Sequence, residues 1–458
     1  MNNCQNLFLL FIFLSCTPVT ETNWPFLPSV SNTWESIQSF GGSKEDVANA
    51  VIITNDGGFA IVGNTQSSDG DFSNKVRTGS DIFLMKFNAE AKLQWIKTYG
   101  GADDDRGHGL VELADNGFAL IGYSKSSDGD ASINKGQHDN WVLRTDSKGN
   151  LLWEKSFGFL GHDHAYNIIA TSDGGLFFNG FLDVTASNGL GQNKKEAHFS
   201  ARHGVGEFWV HKIDLEGNIE WRRYFGGTSN DRSYDAIQSK DDAYVIVGAS
   251  ESQDVDIRNP RGSYDIWVIK IDSSGNLLWE RSIGGSEYDR GNAIIETNAG
   301  EYLVLGNTFS SDGDVLSNAG SSDILLARLS PSGNFQGLKT LGGSGFDSAK
   351  ALIERPDGTL VFVGQRSSSN ISVGEQTINN DVSLYYTLPN GSLIQNTNLS
   401  GSGLDQANDL VLTQKGKVIV VGSSESSSGD FKDSNGCLLY TSDAADEGLG
   451  VDLGGRRI

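Results

Sequence analysis

Asp265-Ile266-Trp267-Val268-Ile269-Lys270-Ile271, a turn at Ser274-Gly275-Asn276, and then Leu277-Leu278-Trp279-Glu280-Arg281-Ser282-Ile283-Gly284-Gly285 form the stretch on which the reading of the fold turns. The first run is apolar at nearly consecutive positions, as a strand is when both of its faces are covered. The Gly-Asn pair supplies the positive φ that a tight hairpin demands. Upstream, Tyr234–Gln238 and Ala243–Ala249 read as two further strands, with Tyr244-Val245-Ile246-Val247 again apolar throughout. Four antiparallel strands in about 58 residues are the content of one propeller blade.

The unit repeats. Trp34, Trp95, Trp153, Trp221 and Trp279 are spaced 61, 58, 68 and 58 residues apart, and Phe335 follows after 56. Each precedes a glycine turn: Gly41-Gly42, Gly100-Gly101, Gly158, Gly226-Gly227, Gly284-Gly285 and Gly342-Gly343. A seventh, worn copy follows Ile394, with Gly401 at its turn. The first strand of each copy carries small residues (Ala50, Gly109, Asn167, Ala236, Ala293, Ala351, Asp409), which suits strands crowded around an axis. A β-helix would need shorter coils and parallel pairing. The expectation is therefore an all-β chain, a β-propeller of seven four-stranded blades over 33–436, with eight as the alternative count. Thr33–Phe40 would join the truncated last blade and close the ring, leaving no open edge.

The pattern Trp-x-x-Ser-Phe/Ile-Gly-Gly, then Asp-Gly-Gly-Phe-x-Ile-Val-Gly, then Asp-Ile-Trp-Val-x-Lys-Ile-Asp resembles the tandem propeller repeats of many secreted proteins and lipoproteins of Bacteroidota-type bacteria. That resemblance covers residues 34–436. It implies the fold and an exported location, and it brings no catalytic residue set.

Leu7–Leu14 is an apolar run of signal-peptide length, too short to span a bilayer as a helix. It ends in Phe13-Leu14-Ser15-Cys16, which resembles a bacterial lipobox with Cys16 as the lipidated residue. The expectation is a signal over 1–16, a linker over 17–32, and a lipid anchor at the outer membrane or cell surface. Ordinary cleavage, with periplasmic or secreted release, is the alternative. Residues 437–458 resemble a translated sequencing adapter, and are expected to lie outside the fold of a chain truncated near Gly436. The native part then keeps no cysteine but Cys16, which removes disulfides and Cys-based metal sites. A net charge of −23 argues against a nucleic-acid partner.

An Asp follows each glycine turn: Asp46, Asp105, Asp163, Asp231, Asp289, Asp347 and Asp405. A residue stamped into every blade serves the blade, here by accepting backbone N–H bonds. A second repeated acid (Asp81, Asp139, Glu207, Asp265, Asp323, Asp381) reads the same way. Ser-Ser-Asp-Gly-Asp loops place Asp69 and Asp71, Asp128 and Asp130, and Asp312 and Asp314 where they could give oxygen ligands to Ca²⁺, although Asp-Gly-Asp is also ordinary turn chemistry. No other cofactor is indicated.

Asymmetry is where function should show. The third copy is longest, with an insertion between Asp183 and Gly206, and all seven histidines fall in copies two and three. His162 and His164 flank a repeated Asp, while Lys194, Lys195, His198 and His203 lie in the inserted loop. These form a candidate partner-contact surface for a protein or glycan. A His-rich metal site is conceivable, but the spacing matches no ligand motif. Nothing resembles a nucleophile elbow or phosphate loop. The reading is an exported envelope binding or scaffold propeller without catalysis. The alternatives are a carbohydrate-active hydrolase or lyase, or an interaction domain of a longer protein.

Overall fold

Strands buried on both faces need sheets on either side of them, and the chain solves this by stacking blades. The computed structural model describes residues 34–367, 380–431 and 436–442; Cys16, segments 1–16 and 17–32, and the tail beyond Ser442 lie outside them. The first complete blade runs Asp46–Ile53, Phe59–Thr65, Asp81–Phe87 and Leu93–Tyr99, each strand antiparallel to the next. The second and third strands are buried along their whole length, and the fourth is mostly half-exposed. Cores form between blades: Val245, Val247, Ile266 and Val268 of the fourth pack on Tyr302, Val304 and Leu325 of the fifth. No described helix is long and apolar enough to cross a membrane.

The expectation of seven four-stranded blades closed by the N-terminal strand is corrected. Six sheets are complete, each made of four strands consecutive in the chain. The seventh is partial: Asp405–Leu412 and Val418–Ser424 are its two strands within the 33–436 repeat region. Its third strand, Gly436–Ser442, lies mostly in the segment 437–458 expected to stay outside the fold, and Trp34–Phe40 lies on that strand with a register slip between Trp34 and Ser36. The seventh sheet thus joins strands from the two ends of the described chain.

Every innermost strand has a β-bulge at the same place. In the fourth blade Ser233 pairs with Gly248 and Asp235 with Val247, so Tyr234 is the extra residue. The same slip passes over Asn49, His108, Tyr166, Asn292, Lys350 and Asn408. A bulge bends the strand and re-aims its extra side chain. It also brings the inner-strand carbonyl against the partner strand. A Cβ at Gly248 would lie 1.9 Å from the Arg232 carbonyl oxygen, and one at Gly122 would lie 1.8 Å from that of Arg106. The glycine ending each Ile-Val-Gly run is therefore the space the bulge occupies. Gly248→Ala is expected to cost about 3 kcal/mol, read as a lowered urea midpoint; an unchanged midpoint would show that the bulge can relax.

Candidate functional site at the channel mouth

The bulged residues meet along the central channel. Asn49, His108, Tyr166, Tyr234, Asn292, Lys350 and Asn408 line it with the residues that follow them, among them Asn167, Asp235 and Asp409. The sequence reading had put Ala236 at the axis in the fourth copy; the lining residue there is Asp235. The Asn and Asp side chains bond blade to blade. Asn49 Nδ2 donates to the Gly107 carbonyl (2.7 Å), Asn292 Nδ2 to that of Ala349 (2.8 Å), and Asn408 Nδ2 to that of Ala48 (2.9 Å). Asp409 Oδ2 accepts from Val51 N (2.8 Å) and Asp235 Oδ2 from Ile294 N (2.9 Å). Desolvation in the channel raises Asp235 to about 6 and Asp409 to about 7, against the pull of these N–H donors.

At the mouth beside blades five and six lies a cavity of about 490 Å³ lined by Tyr288, Arg290, Phe309, Phe346, Lys350 and the amides of Asn292, Asn307, Gln365 and Gln406. Phe309 and Phe346 are 36% and 39% exposed, with ring centroids 5.8 Å apart. Arg290 rests its guanidinium over the Tyr234 ring at 3.7 Å, and its Nε is buried with no hydrogen-bond partner among the described residues. Desolvation first, and then the charge of Arg290, bring Lys350 down to about 8. Two cations thus sit together, and no ion pair to either is found among the described residues.

A second cluster lies at the boundary of blades two and three. His138 and His162 face each other across an isolated parallel bridge, fixed by the Asp163 N–H donating to the His138 carbonyl (2.9 Å). The corresponding pairs elsewhere are Ser80 with Asp104, Tyr264 with Tyr288, Ser322 with Phe346, and Asn380 with Leu404. Here the side chains are imidazoles: His138 Nδ1 is 2.7 Å from His162 Nδ1 and 3.1 Å from His164 Nε2. Desolvation and then neighbouring imidazoles hold His138 at about 4 and His164 at about 3, so both are neutral at physiological pH. The Tyr123 ring packs against both, and His164 stacks on Phe181.

The inserted loop separates the other candidates. Lys194, Lys195 and His198 are exposed. His203 is buried against Tyr224, with Nδ1 3.5 Å from Glu207 Oε2. The loop folds over Trp209, whose Nε1 donates to the Gly191 carbonyl (2.8 Å).

The repeated acids lie at the blade turns. Asp105 accepts from Gly101 N and Ser126 Oγ, both at 2.8 Å, and Asp46, Asp231, Asp289 and Asp347 likewise accept the N–H of the second turn glycine. Asp163 accepts from Phe159 N and Asp183 N, and Asp405 from Ser426 Oγ. The first turn glycine lies over two acids at once: a Cβ at Gly284 would be 2.4 Å from Asp289 Oδ2 and 2.7 Å from Asp265 Oδ1. In the Ser-Asp-Gly-Asp loops, Asp69, Asp128 and Asp312 accept from Ser43, Ala102 and Ser286 N, and Asp71, Asp130 and Asp314 from Gly41, Gly100 and Gly284 N. Each of these six loop carboxylates directs an oxygen at a backbone N–H. Arg290, Lys350 and His138 were not singled out from sequence as site residues; Lys350 and His138 depart from the repeat at the bulge and bridge positions, whereas Arg290 follows the repeated acid as Arg106 and Arg232 do.

No family model matches the chain. The Regulatory protein FlaEY of Caulobacter vibrioides is 27% identical over 298 residues, which is 60% of this chain and 30% of that protein. The chain therefore spans less than a third of this relative's length. Among solved structures it is similar to the WD40 domain of Neurospora crassa Pan2 (10% identity, 87% of this chain and 90% of that one, TM-score 0.45) and to puromycin hydrolase (11% identity, 86% and 53%, TM-score 0.46). It is also similar to the alpha-L-arabinofuranosidase Arb93A from Fusarium graminearum (10% identity, 73% and 91%, TM-score 0.41). At such values no chemistry passes to this chain.

Burial raises Asp81 to about 7, alongside Asp235 and Asp409, from a usual 3.8. The folded chain then holds protons that the unfolded chain has released, so stability is lost as pH rises through those values. His108, lowered to about 4 by desolvation, acts oppositely below its usual 6.5, where the unfolded imidazole takes a proton and the folded one does not. The melting temperature is expected to fall by roughly 5 °C as pH rises from about 5 to 7.5, with His108 offsetting part of the loss below 6.5, and to flatten above. Asp409→Asn should shrink the fall, and an unchanged profile would remove Asp409 from this account.

Proposed function

We propose that the chain is an exported, non-catalytic binding propeller that takes an anionic, hydroxyl-rich ligand, such as an acidic saccharide, at the channel mouth. The observation that carries this reading is the uncompensated Arg290–Lys350 pair, with its buried, unpartnered Arg290 Nε, in a chain of net charge −23. A guanidinium binds a carboxylate through charge-assisted hydrogen bonds. Exposed aromatic rings offer apolar faces to a sugar ring, and the four amides offer both donors and acceptors to hydroxyls. A concave site with a few convergent polar groups is the usual form of a small-ligand pocket. Export rests on the Leu7–Leu14 run and Cys16, through which a lipid would hold the propeller at the envelope.

A hydrolase reading draws on one observation: Asp235 and Asp409 are two carboxyls lining the channel, and glycoside cleavage uses two carboxyl groups, one protonated as acid and one ionised. Turnover of a polysaccharide by the chain, abolished by Asp235→Asn, would favour it over binding alone.

Calorimetric titration with uronic-acid oligosaccharides is expected to show binding that Arg290→Ala weakens about tenfold or more. Affinity should fall as pH rises through about 8, where Lys350 loses its proton. Equal affinity for neutral and acidic oligosaccharides, untouched by Arg290→Ala, would sink the proposal.

A further inference from the structure

Three imidazole nitrogens converge on one point at the boundary of blades two and three, and we infer that His138, His162 and His164 form a site for a divalent transition metal such as Zn²⁺, Cu²⁺ or Co²⁺. One ring nitrogen from each of the three lies within 4.8 Å of the other two, and the short contacts join His138 Nδ1 to His162 Nδ1 and to His164 Nε2. Lone pairs of this kind repel when they face each other without a proton or cation between them. One proton can serve the 2.7 Å contact between His138 and His162, but His138 Nδ1 is also approached by His164 Nε2 at 3.1 Å. A single cation would satisfy all three nitrogens.

The dimensions suit this class of ion. Tetrahedral coordination at about 2.0–2.1 Å sets ligand nitrogens roughly 3.4 Å apart, so the 2.7 Å contact needs to open by about 0.7 Å and the 3.1 Å contact by about 0.3 Å. An all-imidazole donor set selects borderline metals over Ca²⁺ or Mg²⁺, which want oxygen. The positions are held firmly: backbone pairing fixes His138 opposite His162, Phe181 stacks on His164, and Tyr123 packs against His138 and His164. His162 is exposed, which gives the ion a way in and leaves a fourth position for water or a ligand group. Other blade boundaries have the same backbone bridge without the imidazoles. The site is therefore a feature of this chain's asymmetry, separate from the pocket beside blades five and six.

The test is titration of the untagged full chain, stripped with chelator, with Co²⁺ and then Zn²⁺ in competition. The expected result is one Co²⁺ per chain with visible ligand-field absorption, displaced by Zn²⁺. His162→Ala and His164→Ala should each lose the band and weaken binding by about tenfold or more. His162 is on the surface, so the metal-free His162→Ala chain should melt like the metal-free parent, which separates loss of a ligand from loss of fold. Sub-stoichiometric uptake by the parent, or uptake unchanged in His162→Ala, would overturn the proposal and leave three imidazoles joined by shared protons.

Discussion

A carbonyl oxygen standing where a Cβ would otherwise be is the constraint on which this molecule rests. In each blade the second strand gives up a side chain so that the first can bulge toward it. The trade has two returns. It crowds the innermost strands close enough for Asn and Asp side chains to reach the next blade's backbone. It also turns one residue per blade into the channel without disturbing the core behind it. The bulged residue is thereby freed from packing, which is why it can be Asn, His, Tyr or Lys while the glycine opposite stays the same.

Charge follows the same division between frame and variation. The frame acids are spent on backbone N–H groups and hydroxyls at the turns, where a carboxylate's several lone pairs can hold a glycine turn that has no side chain of its own. At the mouth beside blades five and six, Lys350 at a variable bulge position meets Arg290, which follows the repeated acid as Arg106 and Arg232 do. A strongly acidic protein can therefore present a local anion site, because its negative charge is tied into turns and distributed over many blades.

How much could be read from the chain varies with how the information is written. Alternating turns and doubly apolar runs place the strands well: Asp265–Ile271 and Leu277–Ile283 have the bounds their sequence suggests. The first strand of that blade begins at Asp231 rather than Tyr234, because a bulge is a two-against-one count that exists only in the pairing. The His cluster was half visible. His162 and His164 flank a repeated Asp, but His138 lies a blade away, and its place beside them depends on a bridge between sheets. The tail shows the opposite failure, since a segment set aside for its resemblance to a translated adapter pairs as a strand of the seventh sheet.

The contacts between Asn408 and Ala48, and between Asp409 and Val51, join residues some 360 positions apart. Contacts this remote in sequence carry the entropy of closing almost the entire chain. Blades can fold one after another as they are made, each within about 60 residues, but the first must keep one face uncovered until the last is complete. The circle is therefore a late event, and the interval before it is when the first blade's apolar flank is open to the wrong neighbour.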